Sequence, residues 1–507
     1  MFNTIKTFQL SQIKTSQLSQ IVILAFIVFA GFWTNQANSL FGSINTFIVT
    51  DLNWVYVYTM ALGFPFCIWL MLGRFGHVKL GKPDDKAEFG FLVWIGMLFS
   101  AGLGAGLAVW GIAEPIYHFG GNPFMPVAAA NTVAAVDTAL QVTLFHWGAH
   151  IWIGYVITGG ALAYFSFNKG LPMTIRHTLT PILKDNVDGL WGKMADTLAI
   201  CATIFGVATS MALVTKQISA GLFYMTGNPF FQDIMAQYAL ILFIMSVSIY
   251  SAITGVSRGI KILSNINMWL CAVAVVFIYA LASEVGLVGA FFKNMGNYIV
   301  NVIPMSFEIN DVSWQSSWTV FLWAWALSWA PFIGLFIARI SKGRTLQEFT
   351  FGVLIVPVFL GFVWLTAFGN TALSLELLNG SISAAANADL SSVIYVTIEG
   401  LTNSDTLRMM LAVLLTVIVF TFIITSVDSG TLVLSTLAED GNTDPSVRTR
   451  ITWGIILTAT GIILMYMGGL KAIQTAAIVS AFPYTIIMWL MAYCLVKDLK
   501  ETEKSKK

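Results

Sequence analysis

The sequence predicts an all-α polytopic membrane protein of about twelve transmembrane helices, and three observations carry that reading. Of 507 residues, 57% are hydrophobic and only 10% charged, with a mean hydropathy of +0.79, a balance no soluble fold needs. Apolar runs of about 18 or more residues recur along the whole chain, each long enough to cross the hydrocarbon core of a bilayer. All 26 lysines and arginines except Lys216, Lys293, Arg408 and Lys471 fall in the N-terminal arm, in the loops after even-numbered spans (counting Arg74 at the very end of span 2), or in the C-terminal tail. By the positive-inside rule both termini are expected to be cytoplasmic, in a cell inner membrane. A net charge of +1 and the absence of a basic stripe give no reason to expect nucleic acid as a partner.

The spans are placed near 18–37, 54–74, 88–112, 139–165, 194–224, 235–256, 262–288, 318–338, 350–372, 408–433, 451–469 and 472–496. A short polar arm (1–17) with no small-residue cleavage site precedes span 1, which is therefore read as a retained helix. Spans 1 and 2 (18–87 with their loops) are plain. Span 3 is not, because Gly102, Gly104 and Gly106 fall on alternate positions of WIGMLFSAGLGAGLAVW. A helix interior disfavours each glycine by roughly 1 kcal/mol relative to alanine, so the run is either a close-packing seam or an interruption.

Span 4, LFHWGAHIWIGYVITGG, carries Trp147, Trp152 and Tyr155. A single tryptophan near a span end is ordinarily part of an interfacial belt. Three aromatics on one side in mid-span can instead surround a small cation, because ring faces attract positive charge. In span 5, Lys216 either snorkels to the surface or stands as a tethered cation. After spans 6 and 7 an extracytoplasmic connection (289–317) leads to span 8, FLWAWALSWAPFIGLFIARISKGRT, where Trp323, Trp325 and Trp329 precede Pro331. Proline frees a backbone carbonyl inside the bilayer, and a break there is tolerated only where the backbone is buried in protein or lines a cavity. Span 10 carries Thr425, Ser426 and Asp428, and an intramembrane carboxylate points to function because burying its charge is costly. The tail, 497–507, is short and basic.

The interrupted spans 3 and 8 lie five apart. That is the spacing of first helices in two inverted five-helix repeats, 88–288 and 318–496, preceded by two extra helices, and it argues for a secondary transporter with its site between the repeats. A channel would need rings of charge or a carbonyl filter. A membrane enzyme would need paired acids or a nucleophile with its base. Neither pattern is present. His146 and His150, four apart, have no third zinc ligand beside them in the sequence. His118, His146 and His150 are read as hydrogen-bond donors, and Glu114 as fixing a turn before Pro115. Cys67, Cys201, Cys271 and Cys494 have neither disulfide nor metal spacing.

Five stretches, in order, resemble the betaine/choline/carnitine transporter family from about residue 15 to 497. They are AGLGAG followed by Glu114-Pro115, HWGAHIWIGY in span 4, GVSRGIKILSNIN at Gly255 to Asn267, WAWALSWAPFIGLFIARISKGRTLQEF in span 8, and ITSVDSGT at Ile424 to Thr431. The resemblance implies the leucine-transporter-like five-plus-five inverted repeat and, in many members, a homotrimer. It implies transport of a quaternary-ammonium or related onium osmolyte: glycine betaine, choline, carnitine or dimethylsulfoniopropionate.

The family's aromatic box carries over to Trp147, Trp152, Tyr155, Trp325 and Trp329. The substrate carboxylate is expected near an unwound Gly102, Gly104 and Gly106, where helix ends present positive dipole. One position departs: members usually carry two adjacent tryptophans in span 8, and here the second is Ala326. Either the substrate is bulkier or it meets fewer rings, unless Phe332 or Trp323 fills the gap.

Coupling in the family is by sodium symport, proton symport or sodium-independent exchange, and no other cofactor is implied. Sodium is a hard cation that takes oxygen ligands. The positions resembling one sodium site are Thr425 and Ser426 with the backbone carbonyls of Ala101 and Leu103. Where sodium-independent exchangers place a substituting arginine, this chain has Ile260, which favours sodium. A second site is less complete: it retains Thr203 and Phe332, with Asp428 beside it, but has Val207 where a threonine is expected.

Overall fold

A computed structural model describes residues 14–505 apart from 103, 255 and 310, and leaves the side chains of 101, 104, 105, 108, 252, 254 and 256–261 outside the description. Its main helices are α1 (Thr15–Phe32), α2 (Thr34–Asp51), α3 (Asn53–Leu72), α4 (Phe91–Gly102), α5 (Gly104–Gly120), α6 (Val136–Trp147), α7 (Ala149–Ala163), α8 (Leu190–Thr226) and α9 (Ile234–Thr254). These are followed by α10 (Val256–Leu281), α11 (Leu287–Ser306), α12 (Phe321–Ile340), α13 (Val356–Asn379), α14 (Val393–Leu401), α15 (Asp405–Ala438), α16 (Val447–Gly468) and α17 (Leu470–Ser505).

Among the described residues, 10 stretches are long and apolar enough to cross a membrane. Span 4 is missing from that set because it consists of two shorter helices, α6 with α7, and span 3 because residue 103, between α4 and α5, lies outside the described residues. Counting each pair as one crossing gives the twelve expected.

Packing reveals the repeat. α7 of span 4 packs on α12 of span 8, and α13 of span 9 packs on α5 of span 3. α8 packs on α16 and α17, and its counterpart α15 packs on α9 and α10. α12 packs on α17, and α4 on α10. Exchanging each span with the one five later therefore maps these contacts onto one another. Because five crossings is an odd number, the second set runs inverted with respect to the first. α8 and α15, the third helices of the two sets, pack against each other at the centre.

Burial follows the same logic. The most apolar window of the segment Val312–Ile340 is 100% buried, against 22% for α1. A helix that is apolar all round and covered all round belongs to the protein interior, whereas α1 turns most of its surface outward to lipid.

Three expectations are corrected. α12 runs without interruption through Pro331, so the irregular backbone of span 8 is not at the proline but in the single π-helical turn Ser316–Val320 that leads into it. Gly102, Gly104 and Gly106 are helical rather than unwound, with only residue 103 between α4 and α5 outside the described residues. Span 4, read as one helix, divides at Gly148. In addition, the connection between the repeats contains a helix of its own, α11, which packs on α13 and α6.

Candidate functional site

The break at Gly148 builds one wall of the site. Its backbone leaves helical geometry with ψ −147°, and the N–H of Ala149 is bonded to the hydroxyl oxygen of Tyr298, 2.9 Å away in α11. A Cβ on Gly148 would lie 2.5 Å from that hydroxyl oxygen and 2.6 Å from the Leu144 carbonyl, so the close approach requires glycine. The break puts Trp147 on the last turn of α6 and Trp152 and Tyr155 on α7.

Trp147, Tyr155, Trp325, Trp329, Ala326 and Gly106 line a narrow cavity of about 40 Å³. The Trp147 and Trp325 rings meet edge to face with centres 6.3 Å apart, and Trp325 stacks on Phe321 at 5.9 Å. Gly106 makes this meeting possible. A Cβ there would lie 3.0 Å from the Trp147 ring and 3.1 Å from the Trp325 ring. Trp152 stands behind the wall, edge-on to Tyr155 at 5.5 Å and pressed against Gly102, where a Cβ would come within 3.0 Å of its ring. Four of the five expected aromatics thus face the cavity, and the fifth supports one of them.

Ala326 itself lines the cavity, and among the described residues neither Trp323 nor Phe332 joins that lining. Trp323 stacks instead on His150 at 5.0 Å, and Phe332 packs against Trp329 at 5.5 Å, outside the lining. One lining residue has no signature in the sequence: Ser210 of α8, whose hydroxyl accepts a hydrogen bond from Trp325 Nε1 at 3.2 Å. A serine in a membrane helix usually bonds back to its own preceding turn, so nothing in its neighbours marks it.

Behind Trp147 lies a fully buried polar cluster. Glu114 of α5 accepts from Trp147 Nε1 at 2.6 Å through one carboxylate oxygen. Its other oxygen lies 2.6 Å from His146 Nδ1 and 3.2 Å from His118 Nε2. His146 Nε2 reaches the Thr319 hydroxyl at 2.9 Å. Glu114 sits inside α5 and fixes no turn, contrary to expectation. His150 turns away to Ser306 at 2.8 Å, so the pairing of His146 with His150 considered from their spacing does not occur. The ligand atoms of Glu114, His118 and His146 all lie within 4.8 Å of one another. However, two ligands of a tetrahedral zinc with bonds of about 2.0–2.1 Å stand roughly 3.3 Å apart. The 2.6 Å contact from Glu114 to His146 is a hydrogen bond.

The expected sodium ligands divide into two regions. The Thr425 hydroxyl donates to the Thr421 carbonyl at 2.8 Å and accepts from Asn267 Nδ2 at 3.3 Å. The same amide nitrogen reaches the Ser100 hydroxyl at 3.1 Å, tying α10 and α15 to α4 one residue before Ala101. Ser426 is buried beside Thr425. Leu103 and the side chains of Ala101, Gly104 and Ile260 lie outside the described residues. In the other region Thr203 is buried with no partner for its hydroxyl among the described residues. Val207 and Phe332 approach Gly430, whereas Asp428, two positions earlier, accepts from Ser251 of α9 at 2.6 Å. Asp428 and Phe332 therefore have different neighbours.

A model of the betaine/carnitine/choline transporter family matches residues 14–504. The glycine betaine transporter OpuD of Bacillus subtilis is 38% identical over 96% of this chain and 95% of that protein. An ectoine/hydroxyectoine transporter of Virgibacillus pantothenticus is 35% identical over 96% of each. Among solved structures the chain is similar to MhsT in complex with L-phenylalanine, at 15% identity, covering 80% of this chain and 89% of that one with a TM-score of 0.49. With a family model spanning nearly every residue and relatives matched end to end, the chain belongs to the betaine/carnitine/choline transporter family.

Proposed function

We propose that the protein imports a small onium or related zwitterionic osmolyte by alternating access, driven by a sodium gradient. The observation that carries this reading is the cavity between α5, α7 and α12, walled by Trp147, Tyr155, Trp325 and Trp329 with apolar neighbours. A methylated ammonium head has no hydrogen bond to donate, so ring faces are its natural receptor, each worth about 0.5–2 kcal/mol when desolvated. The substrate carboxylate is assigned to the Gly102–Gly106 stretch, which borders the cavity through Gly102 and Gly106. Sodium is assigned to Thr425 and Ser426 with the carbonyls of Ala101 and Leu103. An ion there would bridge the first helix of one repeat and the third helix of the other, which is how its binding would bias their relative arrangement. A second ion is assigned to the region of Thr203 and Phe332, and Asp428, which faces Ser251, stands apart from it. The protein works as a homotrimer in the cell inner membrane with both termini cytoplasmic.

Glycine betaine is the first substrate to test, since the 38% identical relative is a glycine betaine transporter. Ala326 favours a second reading. With alanine where the family carries a second tryptophan, a smaller side chain borders the cavity at that position, which suits a bulkier or cyclic zwitterion such as ectoine, the substrate named for another relative. The test is uptake of labelled glycine betaine, and separately ectoine, into proteoliposomes with and without an inward sodium gradient. Accumulation against the substrate gradient only with sodium supports the reading. Accumulation driven equally by a proton gradient, or counterflow alone, would replace sodium symport with proton symport or exchange.

A further inference from the structure

We infer that Glu114 is the fixed anion of the aromatic site, holding the Trp147 indole in place and polarising it toward a bound cation, so that it sets the preference for a charged head group over a neutral one of the same shape. This rests on the function proposed above and adds a residue to it that does not line the cavity.

Three features of the geometry carry the inference. Glu114 is completely buried, and its contacts are all ring nitrogens: Trp147 Nε1 at 2.6 Å, His146 Nδ1 at 2.6 Å and His118 Nε2 at 3.2 Å. An indole N–H can only donate, so Glu114 accepts on that oxygen. Each histidine needs only one N–H to complete the set. If His146 donates through Nδ1, its Nε2 is left to accept from the Thr319 hydroxyl at 2.9 Å, and if His118 donates through Nε2, its Nδ1 is a bare lone pair. His118 Nδ1 is indeed buried with no partner among the described residues, which a lone pair tolerates far better than a second N–H would. Each histidine can complete the set as a neutral donor, which leaves the carboxylate as the fixed anion of the cluster.

That charge sits at the far edge of a cavity-lining ring. The Trp147 ring borders the cavity and meets Trp325, while its N–H is locked onto the carboxylate. A charge-assisted bond to the indole N–H pushes electron density into the ring and deepens the attraction of its face for a cation. The same bond, together with the packing against Gly106 and Trp325, fixes the ring's orientation just before the Gly148 break. In a water-poor interior the negative charge also acts through space on whatever cation the box holds. A neutral guest of the same shape benefits from the fixed ring but from neither electrostatic effect.

The experiment compares choline with its neutral carbon isostere 3,3-dimethylbutan-1-ol as competitors of labelled glycine betaine binding to purified full-length protein. The proteins are the unmodified chain, Glu114→Gln, Trp147→Phe and the double variant. Glu114→Gln is expected to weaken choline about tenfold while changing the isostere less than about twofold. Trp147→Phe keeps a ring but removes its N–H, so the double variant should be no worse than the poorer single one. Equal weakening of choline and the isostere in Glu114→Gln would show a purely structural residue and overturn the inference, as would full additivity in the double variant. If Glu114→Gln does not fold, Trp147→Phe must still narrow the preference for choline over the isostere, and an unchanged preference overturns the inference. Failure of the unmodified chain to bind any onium compound would instead refute the proposed function, and this assignment with it.

Discussion

Trp329, Gly106 and Ala326 concentrate the chemistry of the site in three side chains of very different size. Trp329 lines the cavity, and its indole N–H is buried and unbonded among the described residues. Trp329→Leu is expected to abolish uptake while leaving the protein in the membrane, as checked by transport assay and immunoblot of membrane fractions. Gly106→Ala puts a methyl 3.0 Å from one ring and 3.1 Å from another, with both rings held by hydrogen bonds to Glu114 and Ser210. The rings cannot both retreat, so the affinity for glycine betaine, measured by tryptophan fluorescence, is expected to fall about tenfold or more. Ala326→Trp puts a ring at the cavity border and is expected to favour glycine betaine over ectoine in competition uptake.

At the scale of elements, the Gly148 break decides how span 4 serves the site. It turns one crossing into two helices whose aromatic residues face the cavity from different angles, and Tyr298 of α11 takes up the freed Ala149 N–H. Gly148→Ala would force a Cβ against the Tyr298 hydroxyl and the Leu144 carbonyl. A loss of about 1–3 kcal/mol is expected, read as a lowered melting temperature in detergent. This break was not legible beforehand, because a glycine inside HWGAHIW looks like any packing glycine until a tyrosine about 150 residues away is seen against it. The Glu114 cluster was hidden for the same reason. Its four members lie on α5, on α6 and in the turn before α12, and the sequence shows Glu114 and His118 one helical turn apart but nothing that brings His146 or Thr319 to them.

At the scale of the molecule, the two repeats are joined at more than the cavity. The Arg344 guanidinium lies 4.0 Å over the Trp94 ring and donates to the Phe89 carbonyl at 2.7 Å, while Trp94 Nε1 donates to Ser341 at 3.0 Å. These contacts fasten the start of α4 to the end of α12, the first helices of the two repeats, on the side of the bundle that carries the basic loops. Arg344→Ala is expected to raise hydrogen exchange at Phe91–Trp94, measured by mass spectrometry, because a cation–π contact and a hydrogen bond are lost together. The proposed sodium coupling is tested at this scale too. The double variant Thr425→Ala, Ser426→Ala is expected to raise the sodium concentration for half-maximal uptake, and an unchanged sodium curve would remove those residues from the coupling site.

Composition and the placement of cations determine by themselves that this chain crosses a membrane about twelve times, because a bilayer admits only long apolar helices and sorts their flanking charges. The aromatic character of spans 4 and 8 was equally legible, since ring-rich segments in mid-membrane are uncommon and keep their chemistry in any arrangement. What only the tertiary structure decided is which of those rings share a cavity, that Trp323 and Phe332 do not join Ala326 in its lining, and that Glu114 stands behind Trp147. These are matters of contact between helices far apart in the chain, fixed by how apolar surfaces pack rather than by any local pattern, so no single segment could announce them.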